Sequence, residues 1–327
     1  MTLVIGIDEA GYGPNLGPLV VAATVWRVSA QCENVEELLG IAIAEALAAA
    51  HPTTTPAGRA NGSRPLWADS KLIYRGGEGF ADLERGVMAG LSLVSLALPT
   101  NWAELIERVG SVGPSAPASI EWQGLESLTL PRVASSDDCL AVAARLRVAL
   151  TAHSVCLVRL ACSMLYPADF NLLLDAGLNK SDILSQTTLS LAATLRGLAP
   201  DEPALIFCDR HGGRKSYASL VAHHFKSPPV RSLEETAARS AYEIARDHCQ
   251  IEFCVGGESR APVALASMTA KYLRELSMQA FNTFWSARVP GLLPTAGYPL
   301  DARRWRREAD AAIQFLGIDA EHLWRRV

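Results

Sequence analysis

Two kinds of stretch alternate along this chain: short apolar runs that stop at acids and glycines, and longer Leu- and Ala-rich segments of helical period. Leu3 to Ile7 is the first apolar run and reads as a buried strand. It delivers two adjacent carboxylates, Asp8 and Glu9, to a turn holding Gly11, Gly13 and Gly17 with Pro14 and Pro18. Leu19 to Val25 returns as a second strand, so the chain opens with a hairpin. Successive strand side chains face opposite ways, so the pattern predicts a backbone bend at Asp8 and Glu9 if both serve one site. Glu36 to Ala50 is helical in pattern, and His51 to Pro65 reads as a surface loop. Phe80 to Leu93 predicts a helix in spite of Gly86 and Gly90, and Val94 to Leu98 a strand. Asn101 to Pro131 is partly Gly/Ser/Pro-rich and otherwise unpatterned, and reads as an insertion.

The second half repeats the alternation. Ser136 to Thr151 predicts a helix capped by Ser136, and Val155 to Ala161 a strand. Ser181 is placed to cap a helix running to Leu195. Ala204 to Cys208 is a further strand, ending in Asp209 ahead of Gly212 and Gly213, with a helical segment from Lys215 to Phe225. Tyr242 to Ala245 and Gln250 to Val255 pattern as a hairpin, while Ser232 followed by Glu235 also matches a helix cap. Pro262 opens a long helix to Ser286, and a last helix spans Asp301 to Phe315. An opening hairpin combined with alternating strands and helices predicts an α/β fold on a mixed sheet. The expected organisation is one catalytic domain over 1–287, with the insertion at 101–131, and a C-terminal helical segment, 288–327, packed on it.

Composition narrows the picture. Of 327 residues, 49% are hydrophobic, enough for a large core. No apolar run approaches the ~20 residues needed to span a bilayer, and the chain begins on a strand pattern without a basic leader. The seven cysteines are scattered, with no C-x-x-C pair, and read as reduced residues of a cytoplasmic protein. A net charge of −4 excludes a global polycationic field, so any nucleic-acid contact must be local. Arg303 to Arg307 and Trp324-Arg325-Arg326 read as solvated faces, with phosphate contact as the alternative.

The candidate chemistry is acidic. Asp8, Glu9 and Asp209 all close buried strand patterns, where α/β sheets favour a site. Glu275 stands at the edge of the apolar arc of the helix after Pro262, with Lys271 one turn before it. Two carboxylates 4 Å apart repel by roughly 4 kcal/mol at an effective dielectric of 20, so such a cluster calls for cations. All-oxygen ligation selects Mg²⁺ or Mn²⁺, and two such ions suit phosphoryl transfer. His211, beside Asp209, reads as a solvated loop histidine, with proton transfer as an alternative role.

Gly6-Ile-Asp-Glu-Ala-Gly-Tyr-Gly-Pro-Asn-Leu-Gly-Pro-Leu-Val-Val-Ala-Ala23 resembles the first motif of the type 2 ribonucleases H, ribonucleases HII and HIII. Asp69-Ser-Lys-Leu72 resembles the second, Phe207-Cys-Asp209 sits where the family has a strand-end Asp, and Asn179 to Ala192 is similar to its middle helix. Ala266-Ser-Met-Thr-Ala-Lys-Tyr-Leu-Arg-Glu275 resembles the family's Ala-Ser, Ala-Lys helix, and Gly297-Tyr298 its C-terminal Gly-Tyr. The resemblance implies an RNase H-like fold and metal-dependent cleavage of RNA in RNA/DNA hybrids or ribonucleotide-containing duplexes, leaving 3′-hydroxyl and 5′-phosphate ends. It implies Asp8, Glu9, Asp209 and Glu275 as holders of two Mg²⁺ or Mn²⁺ ions. Gly11, Tyr12, Gly13, Lys71 and Lys271 are the implied substrate contacts. Tyr12 departs from the family, which carries Arg or Lys between the two glycines. Alternatives are a related nuclease acting on another nucleic-acid structure, or a binding protein without turnover.

Overall fold

The opening hairpin forms as its pattern predicts, β1 (Thr2–Ala10) pairing antiparallel with β2 (Leu19–Val28). The computed structural model describes residues 1–29, 34–50, 65–74, 79–112, 124–226 and 229–326. After β2 come α1 (Val35–Ala50), α2 (Ser70–Ile73), α3 (Phe80–Val94), α4 (Trp102–Val109) and α5 (Ser136–Ala152), then β3 (Val155–Leu165). Next are α6 (Pro167–Asp175), α7 (Lys180–Arg196), β4 (Ala204–Asp209) and α8 (Ala218–Phe225). β5 (Val230–Glu235), β6 (Arg239–Ile244) and β7 (Cys249–Cys254) precede the long α9 (Ala261–Ser286), and α10 (Pro299–Leu316) and α11 (Ala320–Leu323) end the chain.

The strands make one mixed sheet in the order β3-β2-β1-β4-β7-β6-β5. β1 and β4 are parallel, as are β4 and β7, and the other pairings are antiparallel. Period-2 alternation sends Leu3, Ile5 and Ile7 into a core with Ile183, Leu184 and Leu191 of α7. Val4, Val20, Ala22 and Phe207 face the opposite core, filled by Leu265, Leu273 and Leu276 of α9 with α3 and α5 behind. The expected α/β class, a mixed sheet flanked by helices, is therefore the one found. α9 lies directly on β1: a Cβ added to Gly6 would stand 2.3 Å from the Pro262 carbonyl carbon. Thr24 Oγ1 donates to Pro262 O at 2.8 Å and so fixes the start of α9 over β2.

Several local readings change. Val94 to Leu98 is not a strand. α3 runs on to Val94, the Ser95 amide closes it on Leu91 O, and Leu96 is 82% exposed. Gly86 and Gly90 leave α3 intact because they admit neighbours. Cβ atoms there would stand 2.6 Å from Leu66 O and 3.2 Å from Leu265 Cδ1 of α9, respectively. The caps shift: Ser135, not Ser136, accepts the Asp138 amide, and Asn179, not Ser181, accepts the Asp182 amide. Ser232 to Glu235 belongs to β5 rather than to a helix start, and α8 begins only at Ala218. β1 needs no bend, since its pairing with β2 stays in register through Ala10↔Val20. The loop read over His51 to Pro65 lies outside the described residues except for Pro65. Within the stretch read as an insertion, α4 packs Trp102, Leu105 and Val109 into the core, and Val112 N donates to Cys162 O of β3 at 2.7 Å. Among the described residues no helix is long and apolar enough to cross a membrane. Of the described cysteines, all are free and only Cys156 is exposed.

Candidate active site

Parallel pairing brings two strand ends together. Ile7 of β1 pairs with Cys208 of β4, so the next residues, Asp8 and Asp209, emerge side by side toward α9. Asp8 is 8% exposed, and its Oδ1 accepts the Glu9 amide at 2.7 Å. Its carboxyl is also hydrogen-bonded by Ser267 of α9. Ser267 Oγ in turn meets Ser70 Oγ of α2 at 3.1 Å, so the Asp-Ser-Lys turn docks beside Asp8. Burial, then the neighbouring Glu9 and Asp209, hold Asp8 well above the usual carboxylate range. Burial and Asp209 likewise push Glu9 up to about 7, despite a hydrogen bond with Asp8. The two adjacent acids share one site through these side-chain contacts, with no distortion of the strand.

These residues floor a groove of about 720 Å³ that also takes in Gly11, Tyr12, Ser70, Lys71, Tyr74, Asp209, Lys271, Glu275, Gln279, Asn282 and Tyr298. Glu275 lines this groove, but its carboxylate is committed elsewhere. Lys271 Nζ lies 2.6 Å from Oε1 and Tyr74 Oη donates to Oε2 at 3.0 Å. The acid that meets Asp209 is Glu258, which the sequence reading passed over. It sits in a 3-10 turn, Gly257–Ser259, between β7 and α9, and burial followed by the charge of Asp209 raises its carboxyl. The neighbouring Gly257 amide donates to Asp209 Oδ1 at 2.9 Å, tying the turn to the strand end. A partial signal was present: the apolar run ending at Cys254 is followed by Gly256-Gly257-Glu258, again a strand, glycines and an acid, but with the acid after the glycines rather than ahead of them as at Asp8 and Asp209. Lys71 Nζ lies 3.8 Å from Glu258 Oε1, with its side chain 83% exposed.

The glycine loop after β1 rests on two buried arginines. Arg274 of α9 donates to Pro18 O at 3.1 Å, Leu16 O at 3.3 Å and Ala296 O at 2.9 Å. Arg325, read as solvated, is 1% exposed and donates to Gly11 O at 2.7 Å and to Pro14 O. Burial, and for Arg325 the nearby Arg274, lower both guanidinium pKa values. Gly11, at φ +88°, has no room for a Cβ, which would stand 2.5 Å from Pro18 O and 2.9 Å from Arg274 Cδ. Gly297 O receives the Asn15 and Leu16 amides at 2.8 and 3.3 Å, so the C-terminal Gly-Tyr closes on the same loop. Tyr298 lies against Gly13, whose added Cβ would be 3.5 Å from its ring. Arg303 to Arg307 is surface in part: Arg304 pairs with Asp301 and Glu308, while Trp305 is buried.

His211 is not a solvated histidine. It is 2% exposed, packed edge-on against Tyr217 and Phe253, with Ser185 Oγ 3.0 Å from Nδ1. Burial, with Arg214 nearby, pushes it down to about 3, so it is neutral and holds the Asp209 turn in place. On Tyr12 the ammonium of Lys180 sits 4.7 Å from the ring centroid.

The donor set fits hard divalent cations. It is all oxygen, its carboxyls are raised by burial and then by their own crowding, and Glu258 Oε2 is buried with no hydrogen-bond partner. Among the described residues no group of three His, Cys, Asp or Glu side chains is gathered as a ready-made cage, and mutual repulsion opposes such closure.

No protein-family model matches the chain, and no curated protein matches its sequence. Its structure is similar to that of ribonuclease HII from Archaeoglobus fulgidus, solved in a complex with PCNA. The identity is 14% over 98% of this chain and 93% of that one, with a TM-score of 0.43. It is also similar to ribonuclease H2 from Pyrococcus horikoshii OT3, at 14% identity over 98% and 92% of the chains and a TM-score of 0.40. Bst-RNase HIII in complex with Mn²⁺ is similar at 15% identity, over 99% of this chain and 66% of that one, with a TM-score of 0.39.

Proposed function

We propose that this protein is a metal-dependent endonuclease of the type 2 ribonuclease H kind, cutting the RNA strand of RNA/DNA hybrids. The observation that carries the reading is the placement of Asp8, Glu9 and Asp209 together on the floor of an open groove, with Glu258 close enough behind Asp209 for their charges to act on each other. The motifs around them support it: Asp-Ser-Lys and Ala-Ser, far apart in sequence, meet through Ser70 and Ser267 beside Asp8. A protein that only bound nucleic acid would gain nothing from concentrated negative charge facing phosphates.

In this reading Asp8, Glu9, Asp209 and Glu258 would hold two Mg²⁺ or Mn²⁺ ions, and Glu275 stands outside the set as the partner of Lys271 and Tyr74. When bound, such ions would offset the charge developing on the attacking and leaving oxygens of phosphodiester hydrolysis. The chain's own residues place the strand. Gly11 and Gly13 bring bare backbone to the sugar, in the wide minor groove where a hybrid displays its 2′-hydroxyls. Lys71, Lys271 and Tyr12 border the scissile region and position the backbone without reading sequence. Water adds to phosphorus, the bond to the 3′-oxygen breaks, and that oxygen takes a proton, leaving 3′-hydroxyl and 5′-phosphate ends. Labelled RNA/DNA hybrid, double-stranded RNA, double-stranded DNA and a DNA junction, each with Mg²⁺, Mn²⁺ or chelator, test this. Metal-dependent cutting confined to the RNA of the hybrid is expected. Preferred cutting of another duplex, or binding without turnover in both metals, overturns it.

A further inference from the structure

The groove has an acidic floor, yet the proposed substrate is a polyanion, so its rim must supply uncompensated positive charge. Most cations there are already balanced. Lys271 pairs with Glu275, Lys71 leans on Glu258, and Arg214 pairs with Asp182. Arg274 and Arg325 are buried and spent on backbone carbonyls. Lys180 differs. Among the described residues no carboxylate pairs with it, and its charged neighbour is Arg325. The first residue of α7, half-buried, it is held over the ring of Tyr12, which lines the groove and feels the charge of Glu9. A cation on an aromatic face in a partly desolvated place is attracted by the ring, which fixes the ammonium rather than letting it sweep through solvent.

We propose that Tyr12 and Lys180 form a split phosphate clamp, the ring presenting a flat face to the sugar of the RNA strand and the ammonium binding a phosphate next to the acidic floor. This rests on the nuclease reading and names the residues that give it its grip on a continuous strand. The two parts come from distant elements, the glycine loop and the start of α7, so the grip requires the loop that Arg274 and Arg325 support. The ring carries no charge and the ammonium no shape, so removal of each leaves a different signature.

The test is equilibrium binding of an RNA/DNA hybrid in Ca²⁺, followed across a salt series by fluorescence anisotropy. Parallel Mg²⁺ cleavage of the same hybrid is measured for wild type, Lys180→Met, Lys180→Arg and Tyr12→Leu. One lost phosphate contact lowers the slope of log K against log [salt] by about 0.7–0.9. Lys180→Met is expected to weaken binding about tenfold with that loss of slope, and Lys180→Arg to restore both. Tyr12→Leu is expected to weaken binding several-fold with little change of slope. An unchanged slope in Lys180→Met, in a wild-type protein that binds and cuts the hybrid, overturns the clamp and leaves the nuclease reading standing. The expected slope change without any cleavage by wild type overturns the nuclease reading and leaves the clamp. No binding of the hybrid by wild type overturns both.

Discussion

Asp8, Glu9 and Asp209, and a short distance away Arg274 and Arg325, are two sets of like charges, the arginines and Asp8 buried and Glu9 and Asp209 half-buried. The arginines are closed off. Their guanidinium groups are met by the carbonyls of Gly11, Pro14, Leu16, Pro18 and Ala296, with Arg325 Nε the one nitrogen of theirs left buried without a partner among the described residues. A planar fork of donors suits that task, because several carbonyls can be satisfied from one fixed plane. The acids are left open. Asp8 has Ser267 and one amide, Asp209 has the Gly257 amide, and Glu258 keeps a buried oxygen without a partner. The same burial that the arginines tolerate through backbone contacts therefore leaves the acids short of compensation, and a divalent cation is what their shortage fits.

The comparison breaks most readily at the acids. Asp8→Asn or Asp209→Asn should lower hybrid cleavage by about 10³-fold, corresponding to about 4 kcal/mol of lost charge stabilisation. Circular dichroism should stay unchanged, and the metal-free melting temperature should hold or rise as repulsion is relieved. Near-normal turnover would remove that residue from the set. Glu258→Gln should cost about 10²-fold in kcat in the same assay. Glu275→Gln should cost much less, because its carboxylate already has Lys271 and Tyr74. The reverse order would return Glu275 to the metal set.

The arginine side should fail as structure rather than as chemistry. Arg325→Met leaves Gly11 O and Pro14 O buried without donors and should destabilise the protein by about 3 kcal/mol in urea unfolding. Arg325→Lys should recover only part, since an ammonium cannot reproduce the fork. A smaller effect is expected from pH. Glu9 rises from 4.5 to about 7 on folding, so the native state binds more protons between those values. The Glu9 contribution to metal-free stability should thus be fully present below about pH 4.5, decline as pH rises to about 7, and level beyond. A thermal-melt series in chelator checks the sign, and stability rising over that window would contradict it.

Much of this was legible in the sequence because it depends on local pattern. Leu3 to Ile7 and Ala204 to Cys208 announce strands by composition, and Asp8 and Asp209 announce themselves by closing those strands ahead of glycines. Pro262 marks the start of α9 nearly to the residue. What escaped depends on long-range geometry. Arg325 reads as one more basic residue near the end of the chain until the structure sets it under Gly11, 314 positions away. Glu275 carries an acid's chemistry on the helix that faces the groove, and it is told apart from Glu258, in the turn before that helix, by its partners Lys271 and Tyr74. Val94 to Leu98 has strand composition, but α3 runs on through Val94 and no strand adds to the sheet there.

The claim that the acidic floor is completed by divalent cations is tested most directly by thermal unfolding of metal-stripped protein at pH 8, with and without millimolar Mn²⁺, in wild type and Asp209→Asn. Ions that bind only the folded state raise the melting temperature by mass action, and an alkaline pH lowers the competition from protons for the carboxylates. The expected result is a clear rise in wild type that is lost in Asp209→Asn. An unchanged melting temperature in wild type, or an equal rise in both proteins, would contradict the account.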